Sequence, residues 1–140
     1  MAFTGNYSCN SFRAGLPTGA FDFTSDTFYL ALYNNTATLD QTTTAYTTAG
    51  EASGGGYVAG GQVVTATVNT QTVNGVSTTY IDFSSPTWMG AITARGALIY
   101  KPGDNGAVCV LDFGSDKTSV ISFTVQMPAN TSTSALIRLV

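Results

Sequence analysis

An all-β fold is the class this sequence predicts, and three observations predict it. Hydroxyl-bearing residues dominate, with 23 Thr and 12 Ser among 140 residues. Short runs rich in Thr, Val, Tyr and Phe recur at roughly 10–15-residue spacing with turn residues between them, the pattern of an all-β sandwich. Between two such runs lies Asn74-Gly75, the strongest short hairpin signal, because both residues tolerate positive φ. Branched and aromatic side chains fit a pleated, half-buried surface. The expectation is a jelly-roll-type antiparallel β-sandwich of about eight strands over 25–140. A short N-terminal arm or helix precedes it over 1–24.

The elements follow in order. Residues 9–16 (CNSFRAGL) read as a short helix that Asn10 or Ser11 caps and Pro17 ends. It is too short to stand alone in water and must pack on something. Residues 27–33 (TFYLALY) are apolar on both faces, as in a strand covered on both sides. Residues 34–61 lack a strand signal. So long a loop in a compact domain points to a function or an interface, and a helical turn is allowed at 43–47. Strands are expected at 62–68 and 76–83, flanking Asn74-Gly75. Another is expected at 88–93, where Gly90 marks a bulge. Segments 96–100 and 107–113 flank Lys101-Pro102-Gly103-Asp104-Asn105-Gly106, a turn built almost wholly from turn residues. Segment 120–127 alternates, with Ile121, Phe123, Val125 and Met127 on one side, and 135–140 closes the chain.

Composition narrows function. Charged residues are 9% of the chain and the net charge is −3. Five Lys and Arg are too few to neutralise a run of phosphates, so nucleic acid is a poor partner. No His is present, which removes the usual general base, the usual triad base and the commonest metal ligand. Glu51 is the single Glu. No enzymatic activity, catalytic residue, metal or cofactor is expected. No apolar run approaches the ~20 residues of a membrane span, and the polar start Met1-Ala2-Phe3-Thr4-Gly5-Asn6 is unlike a secretory signal. The chain reads as made in a cytosol, or exported only inside a larger assembly. Cys9 and Cys109 then read as packed free thiols.

Chemical motifs are thin. Gly54-Gly55-Gly56-Tyr57-Val58-Ala59 fits a loose dinucleotide fingerprint, but no helix follows to hold phosphate. Asp112-Phe113-Gly114 copies the letters of a kinase metal motif without its companions, and reads as a strand end and a turn. Asp104-Asn105-Gly106 and Asp116 lack the dense acidic loop of a calcium site. Lys101 sits in a turn where burial is not expected. Trp88 with Tyr57, Tyr80 and Tyr100 could form a sugar-stacking platform, although core or interface packing fits them better. The positive signal is a hydroxyl-rich, ion-poor β surface without the edge charges that normally prevent strand association. Such a surface is made to be covered by other protein.

Particular residues carry a resemblance. Ser25-Asp26-Thr27-Phe28-Tyr29-Leu30-Ala31-Leu32-Tyr33, Ala37-Thr38-Leu39-Asp40, Thr43-Thr44-Ala45-Tyr46-Thr47-Thr48, Glu51 and Gly56-Tyr57-Val58-Ala59-Gly60-Gly61 resemble a set of small tailed-phage proteins. So do Asp82-Phe83, Pro86-Thr87-Trp88, Ala94-Arg95-Gly96-Ala97-Leu98-Ile99-Tyr100 and Val110-Leu111-Asp112-Phe113-Gly114. The chain is most similar to the jelly-roll capsid cement (decoration) proteins of short-tailed bacteriophages. Its stretch Gly15-Leu16-Pro17-Thr18-Gly19 departs from their more helical, charged N-terminus. The resemblance implies a non-catalytic virion protein on the capsid exterior, made in the bacterial host cytoplasm. Its partners would be the major capsid protein and itself, as a homodimer or trimer. Expected contacts are the arm 1–24, the loop 34–61 and an open edge strand, with Phe3, Tyr7, Phe12, Leu16, Phe21, Tyr46 and Tyr57 as candidate interface residues. Removing 1–24 should then leave the β core folded. The alternative is a tail-associated receptor- or glycan-binding β-sandwich protein of the same virion.

Overall fold

Every strand pairing in the protein, a computed structural model that describes residues 3–139, is antiparallel. A five-stranded sheet has the order β1 (Tyr7–Ser8), β8 (Ala107–Thr118), β7 (Thr93–Tyr100), β2 (Phe28–Tyr33), β3 (Gln62–Val64). A three-stranded sheet has the order β10 (Ile137–Leu139), β5 (Val76–Phe83), β4 (Ala66–Val73). A two-stranded ribbon joins β6 (Thr87–Met89) to β9 (Ser122–Thr124). The chain is therefore an all-β, sandwich-like protein with one short helix, α1 (Asn10–Gly15).

Period-two alternation places the core. On β2, Phe28, Leu30 and Leu32 join Ile81, Phe83, Trp88, Phe123 and Val125 between the sheets. Ala31 and Tyr33, on the opposite face, pack with Leu98, Val110, Phe3, Ala37 and Leu39. The five-stranded sheet is thus the middle layer, covered on its second face by the N-terminal residues and the start of the long loop. This explains why segment 27–33 is apolar on both sides.

Several expected boundaries move, each for a visible reason. The single strand expected at 62–68 is two strands in different sheets. Thr65 is the corner: its N–H donates to Ser84 Oγ (2.9 Å), and Ser84 N–H donates to Thr65 O (2.9 Å). The strand expected at 88–93 is also broken. Gly90 holds φ +107° and lies against Gly55, forming a corner between β6 and β7. The irregularities fall instead on β8, whose residues between Asp112 and Lys117, with Gly114 at φ +84°, outnumber those of β7 opposite them, and whose register against β7 shifts again between Ile99 and Tyr100. β8 runs on to Thr118, because Thr93 and Ala94 pair with Thr118 and Lys117. The Asn74-Gly75 hairpin forms as expected, with φ of 52° and 79° and Val73 opposite Val76.

No helical turn forms at 43–47. The turn lies just before that segment, where Asp40 accepts the Thr42 N–H (2.8 Å) and hydroxyl (2.5 Å) and its carbonyl accepts the Thr43 N–H (3.1 Å). α1 forms, but Cys9 is its N-cap and offers no side-chain hydrogen bond. Asn10 instead accepts from Arg13, and Ser11 Oγ donates to Ala107 O (2.8 Å).

The N-terminal stretch is not a separable arm. β1 pairs Tyr7 with Val110 and Ser8 with Cys109. Phe12 meets Phe21 (5.5 Å) and Phe23 (5.7 Å), and Phe23 stacks on Phe28 at 4.8 Å. Lys101 fastens this stretch from outside: it donates to Ala20 O, pairs with Asp26 (3.1 Å) and lies 5.2 Å from the Phe21 ring centre. With Phe3, Phe12 and Phe21 all buried, residues 3–24 complete the core. The boundary expected at 24 thus cuts through core contacts, and truncation there would take these rings out of the sandwich. Residues 1, 2 and 140 of the expected segments lie outside the described residues.

Candidate docking surface

The seven expected interface residues separate into three groups. Phe3 (1% exposed), Phe12 (2%) and Phe21 (9%) are packed into this chain's own core. Aromatic content in a polar segment signalled interface, whereas the rings supply the core volume that a small sandwich needs. Tyr7 and Leu16 are half-buried and line a cleft of about 420 Å³ beside α1, β8 and β10. Tyr46 and Tyr57 are half-buried too, but their hydroxyls turn inward.

Those hydroxyls converge on Glu51. Tyr46 donates to Oε1 (2.6 Å), while Tyr57 (2.5 Å) and the Gly60 N–H (2.7 Å) donate to Oε2. Tyr57 Oη also accepts the Leu32 N–H (3.1 Å). Around this knot Tyr33 donates to Thr47 O and Tyr100 to Gly60 O, both at 2.7 Å. Tyr46 stacks on Tyr100 at 4.9 Å. Burial raises the hydroxyl pKa of Tyr46 and Tyr57, reinforced by the Glu51 carboxylate, and pushes Tyr100 up to about 12. These are neutral donors that hold the loop down on β2, an arrangement suited to rigidity and not to proton transfer.

The proposed sugar platform does not assemble. Trp88 is 2% exposed with Tyr57 tilted against it at 5.7 Å. Tyr100 is buried, and Tyr80 lies on β5, paired with Asn69 and Arg138 in a different sheet. Asp112 lies inside β8, where it binds Arg95 at 3.1 Å and accepts the Gly114 N–H. Lys101, for which burial was not expected, is partly buried by the clamp described above. Cys9 and Cys109 are free, buried thiols in different core clusters, and burial pushes Cys9 up to about 12 and Cys109 higher.

What the chain presents outward is an apolar end. Met89 is 63% exposed, Val120 81%, Ile121 75% and Val58 70%. Backbone bonds tie their segments together: Gly90 N–H donates to Ile121 O and Gly56 N–H to Met89 O, each at 2.6 Å. A Cβ on Gly90 would stand 2.7 Å from Gly55 Cα, so glycine is required where these loops touch. The segments are fixed, and their large side chains still face solvent. Alternation placed Ile121 with Phe123 in the core, but β9 begins only at Ser122 and the chain turns before it. The legible signal was the surplus apolar pair Val120-Ile121 ahead of an already sufficient buried face.

A second outward feature is the β4–β5 ribbon. Residues 68–77 are all exposed, and the outer edge of β4 has no neighbour among the described residues. β4 carries no charge and no proline, so the usual devices against strand addition are missing. Thr70–Thr79 (2.9 Å) and Thr72–Ser77 (2.8 Å) hydrogen bonds across the ribbon stiffen it. Compared with protein families, curated sequences and solved structures, the chain matches none.

Proposed function

We propose that this chain is a non-catalytic structural protein of a bacteriophage virion, made in the host cytoplasm. It binds the outside of the capsid and cements neighbouring major capsid subunits against internal pressure. The observation that carries this reading is the rigid apolar end of Val58, Met89, Val120 and Ile121 on a surface with so few ions. Exposed apolar groups held in place mark a surface meant for another protein. Covering four such side chains contributes on the order of 4–8 kcal/mol before association costs.

Cementing follows from mass action. A protein that binds the assembled shell better than free subunits deepens the assembled state. Many copies act at once, so each needs only a standard interface of ~800 Å² per partner. The open β4 edge supplies self-association as a homodimer or trimer, through main-chain bonds that need no particular side chain.

The experiment is to mix purified chain with expanded, undecorated capsids and count bound copies after sedimentation. Saturation at hundreds of copies per particle supports the cement reading. A handful of copies points to the tail-associated alternative, and absence from particles ends the proposal.

A further inference from the structure

β5 carries an ionisable group where the alternation hides it. Ile81 and Phe83 face the core between the sheets, so Asp82 points to the other face, opposite Thr67 of β4. It is 3% exposed. One carboxyl oxygen accepts the Phe83 N–H at 2.9 Å, the Leu136 N–H on the neighbouring chain segment is near enough to favour the carboxylate, and Oδ2 makes no hydrogen bond of normal geometry among the described residues. A buried carboxylate oxygen left alone is costly, and proteins pair such groups or neutralise them. The two ion pairs among the described residues, Arg95–Asp112 and Lys101–Asp26, leave Asp82 without a cation.

Asp82 forms part of the wall of a cleft of about 410 Å³ between the β4–β5 pair and residues 126–130. The rest of the wall is mixed: Thr67, Ser84, Ser85, Gln126 and Asn130 offer hydrogen bonds, and Met127 and Pro128 give it an apolar side. A carboxyl set beside an apolar side, in a wall that offers further hydrogen-bond acceptors, matches a side chain with an apolar stem and a cationic fork. A bare metal ion would find one carboxylate and no second anion: no cluster of three acidic or thiol ligands exists among the described residues.

We propose that this cleft receives an arginine side chain from a partner protein, its stem along Met127 and Pro128 and its guanidinium on Asp82. The last torsion of an aspartate is broad, so the carboxyl turns Oδ2 toward the incoming group without disturbing β5. This site lies apart from the apolar end and holds whether or not the partner is a capsid protein.

The test is amide NMR of the full chain titrated with N-acetyl-arginine N-methylamide, with the norvaline analogue supplying the stem alone and methylguanidinium the head alone. The proposal expects saturable shifts at Thr67, Phe83 and Met127 with the arginine compound, weaker ones with methylguanidinium and none with norvaline. Asp82→Asn, which keeps the side-chain shape, should lower affinity at least about tenfold, the loss of one charge-assisted hydrogen bond. Ala129→Trp, at an exposed rim position, should weaken it as well and serves if Asp82→Asn fails to fold. Absence of saturable shifts, equal response to the norvaline analogue, or unchanged affinity in the variants that fold overturns the proposal.

Discussion

The loop of residues 34–61 and the ribbon β4–β5 invert the usual relation between regularity and burial. The loop has no strand of its own beyond an isolated bridge between Tyr33 and Glu51, yet it covers one face of the central sheet. Ala37 and Leu39 enter the core there, and Glu51 gathers three donors. The ribbon is the most regular pairing in the chain, eight residues against eight, yet its outer half buries almost nothing. Irregular backbone here is structural, and regular backbone is what remains free to meet a partner. Backbone order and availability for binding are separate properties: the first follows from hydrogen bonding, the second from what covers the side chains.

Breaking the buried side of that contrast should have the largest effect. Deleting residues 1–24 removes Phe3, Phe12 and Phe21 from the core together with β1, and the remaining chain should not fold. Loss of amide NMR dispersion checks it, and a dispersed spectrum would restore the separable arm. Phe12→Ala alone should cost about 3–5 kcal/mol in urea unfolding. Glu51→Gln comes next. The amide nitrogen cannot accept from the Gly60 N–H, so about 1–3 kcal/mol should be lost. Faster hydrogen exchange should be confined to the loop, whereas loss spread evenly over all sheets would contradict its role as a local tie.

Asp82 supplies a smaller, pH-dependent effect. Burial raises its carboxyl above the ordinary 3.8, so the folded chain holds that proton more tightly than the unfolded chain. Its stabilising contribution is complete below about pH 4 and declines as pH rises through the folded pKa. Asp82→Asn should therefore gain stability relative to wild type as pH rises from about 4 through the folded pKa, then stay level. Asp22, Asp26 and Asp40 are lowered instead, chiefly by the Thr24 hydroxyl, the Asp22 N–H and the Thr42 hydroxyl respectively. They favour the fold above the carboxylate range and cancel in the comparison. A difference independent of pH would contradict the assignment. On the exposed side, Ile121→Lys should change stability by no more than about 0.5 kcal/mol, because Ile121 is 75% exposed.

How legible this was depended on the kind of signal. Local chemistry read correctly: Asn74-Gly75 dictates its hairpin, and the two-sided apolar run of β2 dictates a covered strand. Sheet membership did not read, because Thr65 and Gly90 turn corners that alternation alone cannot distinguish from continuous strand. The docking surface was the least legible. Aromatic residues attracted attention at Phe12 and Phe21, where burial governs, while Met89, Val120 and Ile121 became exposed only through long-range pairing of loops. Glu51 was visible as the lone Glu, but its three donors come from Tyr46, Tyr57 and Gly60, whose convergence no spacing rule predicts.

The central claim is that a rigid apolar end fastens this protein to other protein. Its most direct test is binding of Ile121→Lys and wild type to expanded capsids, measured side by side by sedimentation with unfolding curves in parallel. Wild-type saturation at hundreds of copies, with binding lost in an equally stable variant, is the result predicted. Equal decoration by both proteins would contradict it.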